Sequence, residues 1–215
     1  AAALDYDVLV EPGLLDRLAD ALTRYAPAAR YAVIADAAVA ALYGDRAVAA
    51  ARASGSAADL FTFPPGERSK TRATWGTLTD AMLEAGIGRD ACVIALGGGV
   101  TTGLAGFVAA TYKRGLYCVQ VPTSLLAMID ASIGGKTGVD APAGKNLVGA
   151  FAPPRCVVVD PDLLGTLPAV ERRAGLAEAV KHAAIADTAH FEALEALDAD
   201  TWVHDAATPT GLVAR

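Results

Sequence analysis

The sequence predicts an α/β protein built on an open, mostly parallel sheet. Three observations carry the prediction. Short runs rich in β-branched residues recur at 8–10, 31–35, 60–63, 92–96, 117–121 and 156–159. Most are followed by an alanine-rich stretch of helical character, which gives a βαβα rhythm. Several are apolar from end to end, as suits parallel strands covered on both faces. The sheet domain is therefore placed at residues 1–160.

Taken in order, the clearest helix lies at 72–85, where Trp75, Leu78, Met82 and Leu83 form one apolar stripe for docking on the sheet. The run ending at Leu96 passes straight into Gly97-Gly98-Gly99 and then an apolar helix. From Pro161 the strand signals stop, and the pattern from Val170 to about Ala196 is helical. This predicts a second, all-helical domain at 161–215, of which only the opening is present. The first residue is not Met and no secretion signal follows, so the chain reads as part of something longer.

Composition narrows the function. Eighteen Lys and Arg against 24 Asp and Glu give a net charge of −6, which argues against a nucleic-acid binder or a polybasic membrane adaptor and favours a small-molecule partner. No apolar run approaches the roughly 18 residues needed to span a bilayer. Cys92, Cys118 and Cys156 sit in apolar runs and read as reduced packing residues, which favours the cytoplasm.

Three features carry chemistry. The turn Gly97–Gly103 has the order in which a βα turn offers backbone amides to a diphosphate, although Thr102 occupies the last glycine position of a strict GxGxxG; a tight turn with no ligand has the same signature. The segment Ser132-Ile133-Gly134-Gly135-Lys136-Thr137-Gly138, with Gly144-Lys145-Asn146 close behind, sets two lysines on a glycine scaffold. They could clamp a carboxylate or phosphate, or be solvated lysines on a hairpin. On the helix around 175–182, Leu176, Val180 and Ala184 form one face, with Glu178, Lys181 and His182 projecting from the other; a solvated ion pair is the competing reading.

The strings ALGGGVTTGLAGFVAATYKRG, VQVPTSLLAMIDASIGGKTGVDAPAGKNLVGAF and TLPAVERRAGLAEAVKHAAIAD together resemble the 3-dehydroquinate synthase family of sugar-phosphate cyclases, over the family's first half or slightly more. The resemblance implies a Rossmann-like NAD-binding domain followed by a helical domain that holds zinc or cobalt. The substrate, 3-deoxy-D-arabino-heptulosonate 7-phosphate of the shikimate pathway, would lie between them and lose phosphate during a transient NAD-mediated oxidation. Residue by residue, it implies cofactor contacts at Asp36, Gly66, Glu67, Lys70, Gly98, Gly99, Val100, Thr101, Thr102, Gly103, Thr123, Ser124, Lys136, Lys145, Leu163, Leu164, Thr166 and Leu167. Arg114, Asp130, Lys136, Lys145, Asn146 and Lys181 match residues that line the substrate cleft, and Glu178 matches the first of three metal ligands. A homodimer is implied, with Arg114 reaching a neighbouring cleft.

The sequence also departs from the family. Where the family reads GGGVxGDLAGF, Thr102 replaces a glycine and Gly103 an aspartate, so weaker cofactor binding is expected. The family's other two ligands are histidines farther downstream, so the chain alone is expected to be inert. His182, His190 and His204 are read as structural or surface residues, and Glu178 with His182 at i,i+4 as holding an ion only weakly. A non-catalytic NAD-binding paralogue and a polyol dehydrogenase of the related iron-dependent group are the alternatives.

Overall fold

The computed structural model describes residues 5–196. Its strands are β1 (Asp7–Val10), β2 (Arg30–Asp36), β3 (Ala57–Phe63), β4 (Ala91–Gly97), β5 (Tyr117–Pro122), β6 (Lys136–Ala141), β7 (Gly144–Phe151) and β8 (Cys156–Val159). Six of them form one sheet in the order β1-β8-β5-β4-β2-β3, and every pairing in it is parallel. All six predicted runs are strands, most with slightly wider bounds. The widest gain is in β3, which starts at Ala57 opposite Arg30 of β2, and its Asp59 pairs diagonally with Arg30 at 2.6 Å.

Burial explains the apolar runs. Along β2, Tyr31, Val33 and Ala35 enter one core while Ala32 and Ile34 enter the other, and β4 divides in the same way. The first core lies under α1 (Leu18–Tyr25) and under the helical segment that runs as α2 (Ala37–Val39), a π turn (Ala40–Gly44) and α3 (Asp45–Arg52). The second lies under α4 (Arg72–Glu84) and α5 (Gly99–Thr111). In α4, Leu78 and Met82 are buried and Trp75 packs on them, but Leu83 is 54% exposed. The predicted stripe was one residue too wide, because an offset of eight turns Leu83 about 80° away from Trp75.

The lysine-bearing glycine segment is an antiparallel hairpin, β6 with β7, inserted between β5 and β8. Beyond β8, Asp160 is 1% exposed and accepts the amides of Gly13, Leu15 and Asp162 at 3.0–3.1 Å, tying the first loop to the far end of the sheet domain. A 3-10 segment (Pro161–Thr166) leads to α6 (Ala169–Ala186) and α7 (Thr188–Glu195). The single helical stretch expected here is two helices. Asp187 leaves helical geometry and caps α7 by accepting the His190 amide at 2.9 Å.

The face of α6 that packs is not the one marked by Leu176, Val180 and Ala184. Gly175, Ala179 and Ala183 are the buried residues, whereas Val180 and Ala184 face outward. Close packing is the reason, since a Cβ on Gly175 would stand 2.7 Å from Leu125 Cβ and 2.8 Å from the Leu126 nitrogen. Of the segment 161–215, residues 197–215, His204 among them, lie outside the described residues.

Candidate active site

The candidate residues gather where parallel strands end. Asp36 is the last residue of β2, the 66–70 segment follows β3, the Gly97–Gly103 turn starts on the last residue of β4 and the Thr123-Ser124 pair follows β5, all at the carboxyl edge of the sheet. In open α/β sheets ligands bind at that edge. Asp36 Oδ1 accepts the amides of Ala38 and Val39 at 2.9 and 3.0 Å, and Oδ2 makes no hydrogen bond among the described residues.

At the start of α5, Gly98 is the N-cap and supplies no side-chain acceptor, so the first helix amides stay open to an anion. Both glycines are needed for closeness. A Cβ on Gly98 would lie 3.2 Å from Ser124 Oγ, and one on Gly99 3.3 Å from Ala131 Cβ. Thr123 is buried and its amide donates to the Gly97 carbonyl at 3.0 Å, which fixes the two strand ends together. These features fit a dinucleotide diphosphate.

Thr101 and Thr102 are buried in the body of α5, and Thr102 Oγ1 donates back to the Gly99 carbonyl at 3.2 Å. The Thr102 side chain therefore does not crowd the turn. At Gly103 the effect is direct, because a Cβ there would meet Lys70 Cε at 3.0 Å and Nζ at 3.1 Å. With no carboxylate at 103, the Lys70 ammonium reaches Asn146 Oδ1 at 2.6 Å. Asp140 completes this contact. Its amide donates to the Lys70 carbonyl at 2.7 Å, and its Oδ1 accepts the Asn146 amide at 2.8 Å. Asp140 was missed in the sequence, where nothing but its nearness to a turn marks it.

A cavity of about 500 Å³ opens between α5, the hairpin and the 127–131 π turn, bordered by Lys70, Gly99, Asp130, Lys136 and Asn146. Lys136 lines this cavity and Lys145 does not. Lys145 leaves this wall and pairs with Glu67 at 3.2 Å, with 71% of its side chain exposed. Asp130 links the cavity to α6. His182 Nε2 stands 4.0 Å from Asp130 Oδ1 and 3.9 Å from Glu178 Oε2, and one donor atom from each of the three residues lies within 4.8 Å of the others. Lys181 is ion-paired with Glu178, and that hydrogen bond holds its ammonium above the usual lysine range against some desolvation. Two carboxylates and an imidazole fit a divalent metal of intermediate softness.

Other candidates fall elsewhere. Leu163 and Leu164 are 2% exposed and belong to the core, and Thr166 bonds Tyr43 at 2.6 Å; Leu167 packs beside them. Val100 packs on the second core. Arg114 lies past the C-terminus of α5, just ahead of β5, so α5 carries it to the opposite edge of the sheet from the cavity.

Comparison with known proteins agrees with this geometry. The profile of the family described as 3-dehydroquinate synthase N-terminal matches residues 60–174, more than half of the chain. A 3-dehydroquinate synthase of Caulobacter vibrioides is 48% identical over 191 residues, covering 88% of this chain and 52% of the relative. The chain spans about half the length of the curated relatives it matches. The structure of 2-epi-5-epi-valiolone synthase from Streptomyces hygroscopicus subsp. jinggangensis, with NAD+ and Zn2+ bound, superposes with a TM-score of 0.86 at 35% identity, over 98% of this chain and 59% of that one. 2-deoxy-scyllo-inosose synthase, complexed with carbaglucose-6-phosphate, NAD+ and Co2+, gives a TM-score of 0.77 at 29% identity, over 82% and 48%. Strand order, the glycine turn and the central string thus lead to one conclusion: this chain belongs to the 3-dehydroquinate synthase N-terminal family.

Proposed function

We propose that this chain is the cofactor-binding part of a 3-dehydroquinate synthase, which converts 3-deoxy-D-arabino-heptulosonate 7-phosphate to 3-dehydroquinate with loss of phosphate. In this reading residues 1–160 hold NAD+, and the segment from 161 opens the metal-binding part. When bound, NAD+ supplies a hydride acceptor and the metal supplies Lewis acidity toward the substrate alcohol.

The chain's own residues then bind and orient. The open α5 amides at Gly99 and Val100 take the diphosphate, and Asp36 Oδ2 faces the adenosine ribose. Lys136 and Asn146 would hold the anionic ends of the substrate across the cavity and so orient it for the hydride acceptor. Glu178, with Asp130 and His182 near it, provides the metal donors. The observation that carries the reading is a single cavity bordered by the glycine turn, Lys136, Asn146 and Asp130, with Asp130 in turn beside Glu178 and His182.

The reading includes a homodimer, in which Arg114 serves the neighbouring cleft, and a reducing cytoplasmic setting, supported by the three free thiols. The test is phosphate release from the protein translated from the complete open reading frame, given substrate, NAD+ and Zn2+, with and without chelator. Metal-dependent release is expected. NADH accumulation with glycerol and no phosphate release would replace this reading with a polyol dehydrogenase; NAD+ binding without any turnover would replace it with a non-catalytic module.

A further inference from the structure

We propose that Asp140 is a positioning residue of the cleft, holding Asn146 so that its carboxamide presents hydrogen-bond donors, and not its oxygen, to the anionic groups of the substrate. The proposal deepens the function proposed above and rests on its reading of the cavity as the substrate cleft.

The hairpin turn sets the two residues against each other. Val139 pairs with Val148 and Ala141 with Gly144, so Asp140 alone faces Lys145, Asn146 and Leu147 across the ladder. The surplus residues bulge out of β7, and at Asn146 the backbone turns left-handed, with φ 56°. Asparagine is tolerated in that conformation when its short side chain bonds back to the local main chain. Here the side chain is committed elsewhere, its Oδ1 accepting from the Lys70 ammonium at 2.6 Å. The Asp140 carboxylate supplies the missing local bond, with Oδ1 accepting the Asn146 amide at 2.8 Å.

The consequence for recognition comes from the chemistry of the lysine. An ammonium only donates, so it fixes the carboxamide with its oxygen toward Lys70 and leaves both Nδ2 hydrogens to other acceptors. Nδ2 makes no hydrogen bond among the described residues, and Asn146 borders the cavity, whereas Asp140 does not. Donors at that wall suit the oxygens of a phosphate or carboxylate. Asp140 therefore acts through Asn146. A further bond, from the Asp140 amide to the Lys70 carbonyl at 2.7 Å, closes a ring of three residues and does not involve the carboxylate. Loss of the carboxylate releases Asn146 while Lys70 keeps its place.

The test uses the protein from the complete open reading frame, with steady-state phosphate release, calorimetric NAD+ titration and thermal melts. Asp140→Ala should raise the substrate KM about tenfold, the size of one lost charge-assisted hydrogen bond, with kcat and the NAD+ dissociation constant within about twofold of the parent. Asp140→Asn keeps an acceptor oxygen and should stay within about threefold of the parent KM. Asn146→Ala should raise KM to a similar extent, and adding Asp140→Ala to it should change KM by less than about twofold more, because no carboxamide is left to position. The proposal is overturned, with the functional reading intact, by any of three results: Asp140→Ala leaves KM within about twofold, multiplies it equally with and without Asn146→Ala, or weakens NAD+ binding and lowers the melting temperature along with it. One measurement is independent of turnover. The HN–Hα coupling of Asn146 reports φ by NMR, and should change in Asp140→Ala and return in Asp140→Asn. If the parent protein releases no phosphate, the functional reading falls and this coupling decides the role of Asp140, an unchanged value overturning it.

Discussion

Gly103→Asp and Thr102→Gly, made separately, put the cofactor turn to a quantitative test. The sequence pattern couples the two positions, and the structure separates them. At 103 the new Cβ meets only the mobile end of Lys70, at 3.0 and 3.1 Å, so the lysine moves aside by a few tenths of an ångström and pairs with the new carboxylate. A charged acceptor for a cofactor hydroxyl contributes about 1.5–3 kcal/mol. Up to about 1 kcal/mol of that is offset because the exposed Lys70 ammonium competes for the same oxygens. The net gain of about 1–2 kcal/mol corresponds to an NAD+ dissociation constant roughly 5- to 30-fold lower. Thr102, at 1% exposure, touches Gly99 from inside the helix. Its replacement by glycine should cost about 1 kcal/mol of stability and leave NAD+ affinity alone. Calorimetric titration with NAD+, alongside thermal melts, reads both effects. Tightening that follows Thr102→Gly instead of Gly103→Asp would refute the placement of the cofactor over the open face of α5.

Further expectations follow from burial and packing. Asp160→Ala strips the acceptor from three amides that a nearly fully buried carboxylate holds at 3.0–3.1 Å, and should lower unfolding free energy by about 3–5 kcal/mol in urea titration; a loss under about 1 kcal/mol would mean water replaces the carboxylate. Gly175→Ala forces a methyl to within 2.7 Å of Leu125 and should cost about 1–3 kcal/mol while weakening Zn2+ binding, because α6 lifts away from Asp130; unchanged metal affinity would uncouple the two. Burial pushes the Cys118 and Cys156 thiols up to about 12, from 9.0 in the unfolded chain. The unfolded state then sheds protons that the native state keeps, so stability is intact below pH 9 and falls by roughly 1.4 kcal/mol per pH unit per thiol between about 9 and 12. Melts across that range should slope downward, more shallowly in Cys118→Ala, and reaction with a thiol reagent at pH 8 should wait for unfolding.

The parallel sheet was legible because its strands are buried on both faces, and a run such as that ending at Val159 can then be little else. Glu178, Lys136 and Asn146 were legible as chemistry through their glycine-rich or helical surroundings and the family likeness. What stayed hidden depends on side-chain direction. Spacing alone put Val180 on one face with Leu176, whereas the narrow approach at Gly175 selects the small residues Ala179 and Ala183 for burial. Neighbouring lysines looked like a pair until the hairpin left Lys136 on the cavity wall and sent Lys145 to Glu67. The nearness of His182 to Asp130 joins residues 52 positions apart, a relation that no local pattern records.

The stitching between the segment after β3 and the tip of the hairpin runs partly through main-chain atoms: the Asp140 amide meets the Lys70 carbonyl, and Thr71 bridges to Asp140. Such joints are blind to side-chain identity. Drift at Lys70 or Asn146 can retune what the cleft recognises while its two walls stay in register, which gives the scaffold latitude to change specificity without rebuilding its frame.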